Sequence, residues 1–395
     1  MSEIEFSIME NAAGDSNKLR PLLDAFEQQY HIHVNLTGIP WDQGWTDIAQ
    51  YGIYGNGPDI SSIGTTWVGS LAAMQALRPF TPQEVRDMGG HEAFFDANWL
   101  SGFLPSDSQA WAIPWLGDVM VLYYWKEAFE KAAIGDPAEA LGSDAAILET
   151  LQKLQACGYP YPLSLTTSRI PVILHETAYW IWNAGGDFMT PDQTRVAFNQ
   201  PAALEGLKKY FNLRPFISPE ALALHSAEDM FIEHKSAIVM SGPLPGTTGR
   251  QLHPEWQDQL GIARLPGKAF VGGTSFVIWK YSRHPKEAFD LVRFLGHQPV
   301  HFPASPHNHQ LPVRREVIGL SITENDAFNR AYVHALQNGK GFPTIRLWGS
   351  LEGKLINAIA AIWAERYAHP DDDLDTCLHK YLDPLAQRMD VVLGN

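Results

Sequence analysis

Residues 3–40 read EIEFSIMENAAGDSNKLRPLLDAFEQQYHIHVNLTGIP, and this stretch decides the fold class. Apolar and polar residues alternate from Glu3 to Met9, which predicts a strand. From Lys18 to Tyr30 the apolar residues recur at helical spacing, and a second alternating run begins at Ile32. A strand, a helix and a strand in this order predict an α/β fold with a parallel sheet and right-handed crossovers.

Length and charge narrow the class of protein further. The chain has 395 residues, of which 45% are hydrophobic and 18% charged, so we expect a globular protein of two domains. The formal net charge of -15 repels phosphate backbones, and we therefore expect no nucleic-acid partner. No run of about 18 apolar residues is present, so a membrane-spanning helix is not expected.

The first residues and the two cysteines bear on the compartment. The start, Met1 to Phe6, resembles no export signal, which leaves a protein that stays inside the cell or one whose leader has been removed. Cys157 and Cys377 form no C-x-x-C pair. We expect two free thiols, and one long-range disulfide stays open as the alternative.

Three loops are expected to meet at one edge of the sheet. Parallel sheets bind ligands just beyond the carboxyl ends of their strands. The loops 10–14, 40–42 and 64–67 each follow a predicted strand, and they carry polar groups and two indoles. The sequence therefore predicts a ligand site at this edge.

Motifs of several enzyme classes are missing from the sequence. It contains no P-loop, no dinucleotide fingerprint, no H-E-x-x-H motif and no G-x-S-x-G elbow. His301, His307 and His309 lie in a proline-containing segment without a flanking carboxylate, so we expect neither a metal nor a cofactor. Glycosidases need two carboxyl groups across a sugar, and Asp42, Asp118 and Glu176 are candidates for such a pair.

A series of short motifs runs through nearly the whole chain. In order, they are Gly57-Pro58-Asp59-Ile60, Trp67, Leu77-Arg78-Pro79-Phe80, Ala112-Ile113-Pro114, Asp118, Tyr123-Tyr124-Trp125-Lys126, Gly185-Gly186, Ala237 to Pro243, Gly272-Gly273, Ala288 to Leu295 and Leu311-Pro312-Val313. This order resembles the extracellular solute-binding proteins of ABC importers, in the sugar-binding family that includes maltose-binding protein.

The resemblance implies a two-lobed α/β architecture, the type II periplasmic-binding-protein fold, with discontinuous lobes joined by hinge strands. The implied first lobe comprises residues 1–113 plus 270–311, and the second comprises residues 114–269 plus 312–395. The implied hinges lie near Pro114, Ala269 and Pro312.

The resemblance also implies a function without catalysis. Such a protein captures a mono- or oligosaccharide between its lobes, closes by a hinge motion and delivers the sugar to a membrane permease. We expect a monomer in the periplasm or outside the cell, with a lipid anchor as an open alternative.

The candidate ligand residues combine the positions that the resemblance implies with polar residues of the predicted loops and strands. They are Asn11, Trp41, Asp42, Thr65, Thr66, Trp67, Asp118, His175, Glu176, Gly242, Pro243, Gly273, Thr274 and Trp348. A sugar has an apolar face and a rim of hydroxyl groups, which suits flat aromatic rings beside hydrogen-bonding side chains. The family often has an aromatic residue after the Gly-Pro pair, where this chain has Leu244.

Besides a sugar-binding protein, two other interpretations of the chain remain open. An acidic site with aromatic rings also suits a polyamine, through cation–π contacts, or a polyol. The second alternative is an enzyme, a glycoside hydrolase that uses Asp118 and Glu176.

Overall fold

The computed structural model describes residues 2–10, 14–104, 107–223, 227–298, 310–321 and 326–393, and at Asp42, Leu320 and Ser321 it describes the backbone only. The strands are β1 (Ser2–Glu10), β2 (Ile32–Pro40), β3 (Ile60–Gly64), β4 (Leu77–Arg78), β5 (Ile113–Val119), β6 (Val121–Trp125), β7 (Leu163–Ser164), β8 (Ile238–Ser241), β9 (Leu260–Ala263), β10 (Val271–Trp279) and β11 (Leu311–Pro312).

Helices make up most of the remainder of the described chain. They are α1 (Arg20–Tyr30), α2 (Trp41–Tyr54), α3 (Val68–Ala73), α4 (Pro82–Asp87), α5 (Asp96–Leu100), α6 (Lys126–Lys131), α7 (Pro137–Ala140), α8 (Asp144–Ala156), α9 (Val172–Asn183), α10 (Pro201–Phe211), α11 (Glu228–Ile232), α12 (Arg250–Leu252), α13 (Trp256–Gln259), α14 (Pro285–Gly296), α15 (Arg315–Ser321), α16 (Ala327–Asn338), α17 (Trp348–Ala368) and α18 (Leu374–Leu393).

The chain divides into two compact units, each built from several segments. The first unit comprises Met1–Asp118, Val271–Asn329 and Gly341–Gly349, and the second comprises Val119–Phe270, Arg330–Lys340 and Ser350–Asn395. The sequence placed everything after residue 311 in the second lobe. The described residues 312–321 and 341–349 instead lie in the first unit, which shows that the chain returns there more than once.

The first unit contains a seven-stranded sheet in the order β11-β5-β10-β3-β1-β2, with β4 paired to β10. β1 is parallel to both of its neighbours, with Glu10 opposite Pro40 and Ile8 opposite Ser62. This part of the sheet is the predicted parallel α/β arrangement. The predicted helix from Lys18 begins only at Arg20, because the residues before it form the 3-10 turn Asp15–Leu19.

The sheet as a whole is mixed, so the parallel sheet that the sequence predicted is only part of it. β10 is antiparallel to β3, with Thr274 opposite Gly64, and β11 is antiparallel to β5. The reason is topological, since β10 re-enters the first unit from the second and no crossover helix joins it to β3. Gly273, at a φ of 120°, permits this packing, because a Cβ there would lie 2.1 Å from the Leu116 carbonyl oxygen.

One buried cluster holds α2 and α3 against this sheet. It includes Met9, Ile48, Ile63, Trp67 and Trp279, and the indoles of α2 pack against its border. β10 contributes the alternate side chains of Val277 and Trp279 to this core, as the period of two requires.

The second unit contains a four-stranded sheet in the order β7-β8-β6-β9. β7 is parallel to β8, whereas β6 is antiparallel to both β8 and β9. Helices α9 and α10 pack closely, and Gly206 makes this possible because a Cβ there would lie 2.3 Å from the Trp180 carbonyl oxygen. Nearly every residue of α9 is buried, so this helix forms the interior of the unit.

Candidate functional site

Within the first unit, the strands that precede the three predicted loops end at one edge of the sheet. Glu10 at the end of β1 lies opposite Pro40 at the end of β2, and the register of β1 with β3 brings Gly64 to the same level. Thr274, near the start of β10, lies opposite Gly64. The segments that begin with Trp41 and with Thr65 are therefore neighbours at this edge.

Three indoles form a cluster at this edge, which we call the indole cluster: Trp41, Trp45 and Trp67. The ring centroids of Trp41 and Trp67 are 5.5 Å apart, and those of Trp45 and Trp67 are 5.9 Å apart. Trp67 is only 8% exposed and belongs to the core, whereas Trp41 and Trp45 are partly buried at its border. Trp67 thus supports the other two rings from below, and Trp41 and Trp45 retain accessible surface.

The sequence analysis missed Trp45. It lies four residues after Trp41 on α2, which places both rings on the same side of the helix. The i, i+4 spacing was the signal that could have found it. Gly64 leaves room for the cluster, because a Cβ there would lie 3.3 Å from the Trp41 ring.

The polar residues predicted for this edge of the sheet differ in their exposure. Thr66 and Asp118 are partly exposed, whereas Thr65 is 7% exposed and Thr274 is 3% exposed. The carboxylate of Glu10 turns inward and accepts a hydrogen bond from the Ser16 amide at 3.1 Å. Asn11 lies outside the described residues, and so does the side chain of Asp42.

Trp348 and Gly273 serve the packing of the first unit. The Trp348 ring is fully buried and stacks on Phe342, with 4.8 Å between ring centroids. A ring in this position has no accessible face, so we withdraw Trp348 as a stacking surface. Gly273 provides the close approach to β5 described above.

In the second unit, Gly242 and Pro243 follow the end of β8. The Gly242 carbonyl accepts a hydrogen bond from the Tyr123 hydroxyl at 2.9 Å, and the two hydroxyl oxygens of Tyr123 and Tyr332 are 2.7 Å apart. The Pro243 carbonyl accepts the Thr247 hydroxyl at 2.8 Å. These bonds fix the backbone of the Gly-Pro pair from inside the unit.

His175 lies on the first turns of α9 and stacks flat on Phe270, with 3.9 Å between ring centroids and 9° between planes. The residue as a whole is partly exposed, but protein atoms surround its imidazole closely enough that desolvation lowers its pKa to about 3. The imidazole is therefore neutral at physiological pH, when it has one donor and one acceptor nitrogen.

Glu176 is fully buried, although the sequence analysis placed it among the ligand contacts. Both carboxyl oxygens accept from the Thr166 amide, at 3.0 and 2.9 Å. Burial raises the pKa of Glu176 well above its ordinary value, and the nearby Glu228 raises it further. A group enclosed in this way is not presented to a sugar at the surface, either as a hydrogen-bond acceptor or as a catalytic acid.

The sequence analysis also missed a charged cluster beside α9. The Trp182 indole donates to Asp187 Oδ1 at 3.0 Å, and Lys340 Nζ forms an ion pair with Asp187. The same ammonium lies 5.2 Å from the centre of the Trp182 ring. Because Lys340 is distant in sequence, no local pattern indicated this contact.

The described part of the chain contains neither a candidate metal site nor a candidate membrane span. No group of three or more His, Cys, Asp or Glu residues there could hold a metal ion, and His301, His307 and His309 lie outside it. No helix in the same residues is long and apolar enough to cross a membrane. Cys157 and Cys377 are both free.

Comparison with known proteins gives a consistent result. Residues 12–297 match the sequence profile of the bacterial extracellular solute-binding proteins. A putative binding protein of Brucella abortus is 24% identical over 384 residues, which cover 91% of this chain and 88% of that protein.

Solved structures with the same fold are similar over the whole chain. The solute-binding protein of an ABC transporter from Thermotoga lettingae, crystallised with α-D-tagatose, has a TM-score of 0.82 at 19% identity and full coverage of both chains. The sugar-binding protein MalE of Xanthomonas citri has a TM-score of 0.83 at 20% identity and covers 100% of this chain and 98% of its own.

Proposed function

Because this chain belongs to the bacterial extracellular solute-binding proteins, we propose that it is the binding subunit of an ABC importer and that its solute is a carbohydrate. Its fold is the α/β type II periplasmic-binding-protein fold. In this proposal it captures a mono- or oligosaccharide without catalysis, outside the cytoplasmic membrane, and passes it to a membrane permease as a monomer.

The indole cluster is the observation that carries the proposal. Trp41 and Trp45 have accessible surface at the edge where the strands end, and Trp67 holds them in place. A rigid aromatic surface suits the C–H face of a pyranose, because stacking costs little conformational entropy when the rings are already fixed. Thr66 and Asp118, which are partly exposed, add hydrogen-bonding groups suited to sugar hydroxyls.

We propose the following sugar contacts, taken for each unit by itself. From the first unit we retain Asn11, Trp41, Asp42, Thr66 and Asp118, and we add Trp45. From the second unit we retain His175, Gly242 and Pro243. The buried residues Thr65, Trp67, Glu176, Gly273, Thr274 and Trp348 act in this proposal by support.

A ligand panel tests the proposal directly. Thermal unfolding is measured with sugars, polyols and polyamines, and a ligand at a hundred times its Kd adds about 2.7 kcal/mol to the stability. We expect members of the sugar group alone to raise the melting temperature. If only polyamines or only polyols raise the melting temperature, that class replaces sugars as the proposed ligand. Turnover of a chromogenic glycoside would refute a purely binding role.

A pair of variants on one helix locates the site. Trp41→Ala is expected to weaken sugar binding about tenfold or more, because it removes a stacking ring and its apolar area. Tyr54→Ala, at the other end of α2 and 71% exposed, is the matched control and should leave the affinity unchanged. Equal affinity of both variants and the original protein would remove the indole cluster from the site.

A further inference from the structure

The backbone of Thr166 is held from two sides by buried side chains of the second unit. Its amide donates to both carboxyl oxygens of Glu176, on α9. Its carbonyl accepts from the Tyr210 hydroxyl, on α10, at 3.4 Å. Glu176 and Tyr210 are both fully buried, so the two helices fix the two peptide groups on either side of the Thr166 Cα from inside the protein.

Thr166 lies at the edge of the sheet that also carries the Gly-Pro pair, Gly242 and Pro243. Thr166 comes two residues after the end of β7, and β7 is parallel to β8, which ends at Ser241. The loop that continues from Thr166 becomes accessible after the buried Thr167, with Ser168 partly exposed and Arg169 exposed. The conformation of Thr166 therefore determines where this loop begins at the edge.

A second carboxyl group supports the neighbouring strand in a similar way. The hydroxyl of Ser241, the last residue of β8, donates to Glu228 at the start of α11. The Ser164 hydroxyl, at the end of β7, donates to the Ala227 carbonyl at 2.6 Å. At the carboxyl end of each of these two parallel strands, a serine hydroxyl thus donates a hydrogen bond to the segment around α11.

Burying the carboxyl group of Glu176 costs free energy, so we ask what this group contributes to the structure. An enclosed polar group is costly unless it is hydrogen-bonded, and an apolar side chain of similar size would pack α9 more favourably. The hydrogen bonds of Glu176 go to the backbone of the loop segment, so what the carboxyl group provides is a defined loop conformation.

We infer that Glu176 is a positioning residue of the sugar site, which holds the loop from Thr166 to Arg169 in the conformation that binds, without touching the ligand. This inference rests on the proposed function. It replaces the direct contact that the sequence suggested for Glu176.

Two substitutions separate positioning from simple packing. Glu176→Gln has the same shape and keeps a carbonyl oxygen for the Thr166 amide, whereas Glu176→Leu keeps the volume and removes the acceptor. Thr150→Val, on α8, is the matched control, because it also deletes a hydrogen bond of a buried side chain in this unit, from the Thr150 hydroxyl to the Ala140 carbonyl.

The measurements are the Kd for the strongest sugar of the panel, the melting temperature, and hydrogen exchange of the peptide that covers residues 165–169. For Glu176→Leu we expect affinity to fall about tenfold and exchange at Thr166 to accelerate, since its amide loses its acceptor. Glu176→Gln should keep both properties near those of the original protein. Thr150→Val should lower the melting temperature and leave Kd and loop exchange unchanged.

Each remaining outcome decides the inference. Unchanged Kd and exchange in Glu176→Leu would overturn it, and so would a loss of affinity in Thr150→Val as large as in Glu176→Leu. If Glu176→Leu fails to fold, Glu176→Met replaces it with the same expectations. If the original protein binds no sugar, the proposed function fails and the sugar-site role with it, while accelerated exchange at Thr166 would still support the anchoring itself.

Discussion

Replacement of Trp67 by alanine should destabilise the protein rather than merely weaken binding. The ring is 8% exposed and packs within the core cluster that includes Met9 and Ile63. Burial of this kind makes Trp→Ala substitutions cost about 3–5 kcal/mol, the sum of lost transfer energy and a residual cavity. Such a loss is a large part of the free energy of unfolding, which is about 5–15 kcal/mol for typical proteins.

The neighbouring indole provides the comparison. Trp41 is only partly buried at the border of the same cluster, so Trp41→Ala should cost about 1 kcal/mol, a typical value for a single substitution. Trp67→Phe retains an aromatic ring in the core and should fall between the two. The difference between Trp67→Ala and Trp41→Ala is thus expected to be about 2 kcal/mol or more.

Guanidinium unfolding, followed by far-ultraviolet circular dichroism and by tryptophan fluorescence, measures these losses. Because the chain has two units, the free energies are compared only if both signals change together. A loss below about 1 kcal/mol for Trp67→Ala would refute the assignment of this ring to the core. Equal losses for Trp67→Ala and Trp41→Ala would refute the distinction between support and surface.

Three further predictions concern other parts of the chain. Cys377 is 3% exposed and burial raises its pKa to about 11, so a thiol reagent at pH 8 should modify the partly exposed Cys157 first; equal rates would contradict this. In the folded state, burial and the nearby Glu228 hold the pKa of Glu176 above the reference value of 4.5. The free energy of unfolding should therefore fall as the pH rises above 4.5 towards the folded pKa. This fall should be smaller in Glu176→Gln, which cannot titrate at this position. Parallel pH curves from denaturant unfolding would exclude that linkage. Gly273→Ala should cost more than about 2 kcal/mol, because φ is 120° and the new Cβ would meet the Leu116 carbonyl; a melting temperature equal to that of the original protein would disprove it.

Local patterns in the sequence determined much of the first unit. Alternation and helical spacing located β1, α1 and β2 within two residues, because each element buries one face against the same core. The order of those elements also predicted the edge at which the loops meet. Pairing between β3 and β10 was beyond such reasoning, since it joins segments that no short window contains.

The direction in which a turn residue points was equally hard to predict. Trp67 ends a 3-10 turn of three residues, too short for a period, and the packing of α3 behind it turns the ring inward. Glu176 could have been interpreted better. Eight of the twelve residues of α9 are apolar, and a helix this rich in apolar residues is expected to be largely buried, along with an acid that it carries.

The late arrival of β10 has a consequence for the biosynthesis of this protein. Gly64 finds its partner Thr274 more than two hundred positions downstream, so the ribosome must keep translating for about 10–40 s before that strand is even made. Until then the nascent N-terminal segment has an unpaired strand edge and cannot complete its sheet, however favourable its local sequence is. An arrested chain that ends before residue 270 should therefore stay protease-sensitive in its first hundred residues, and release of the full-length chain should protect them.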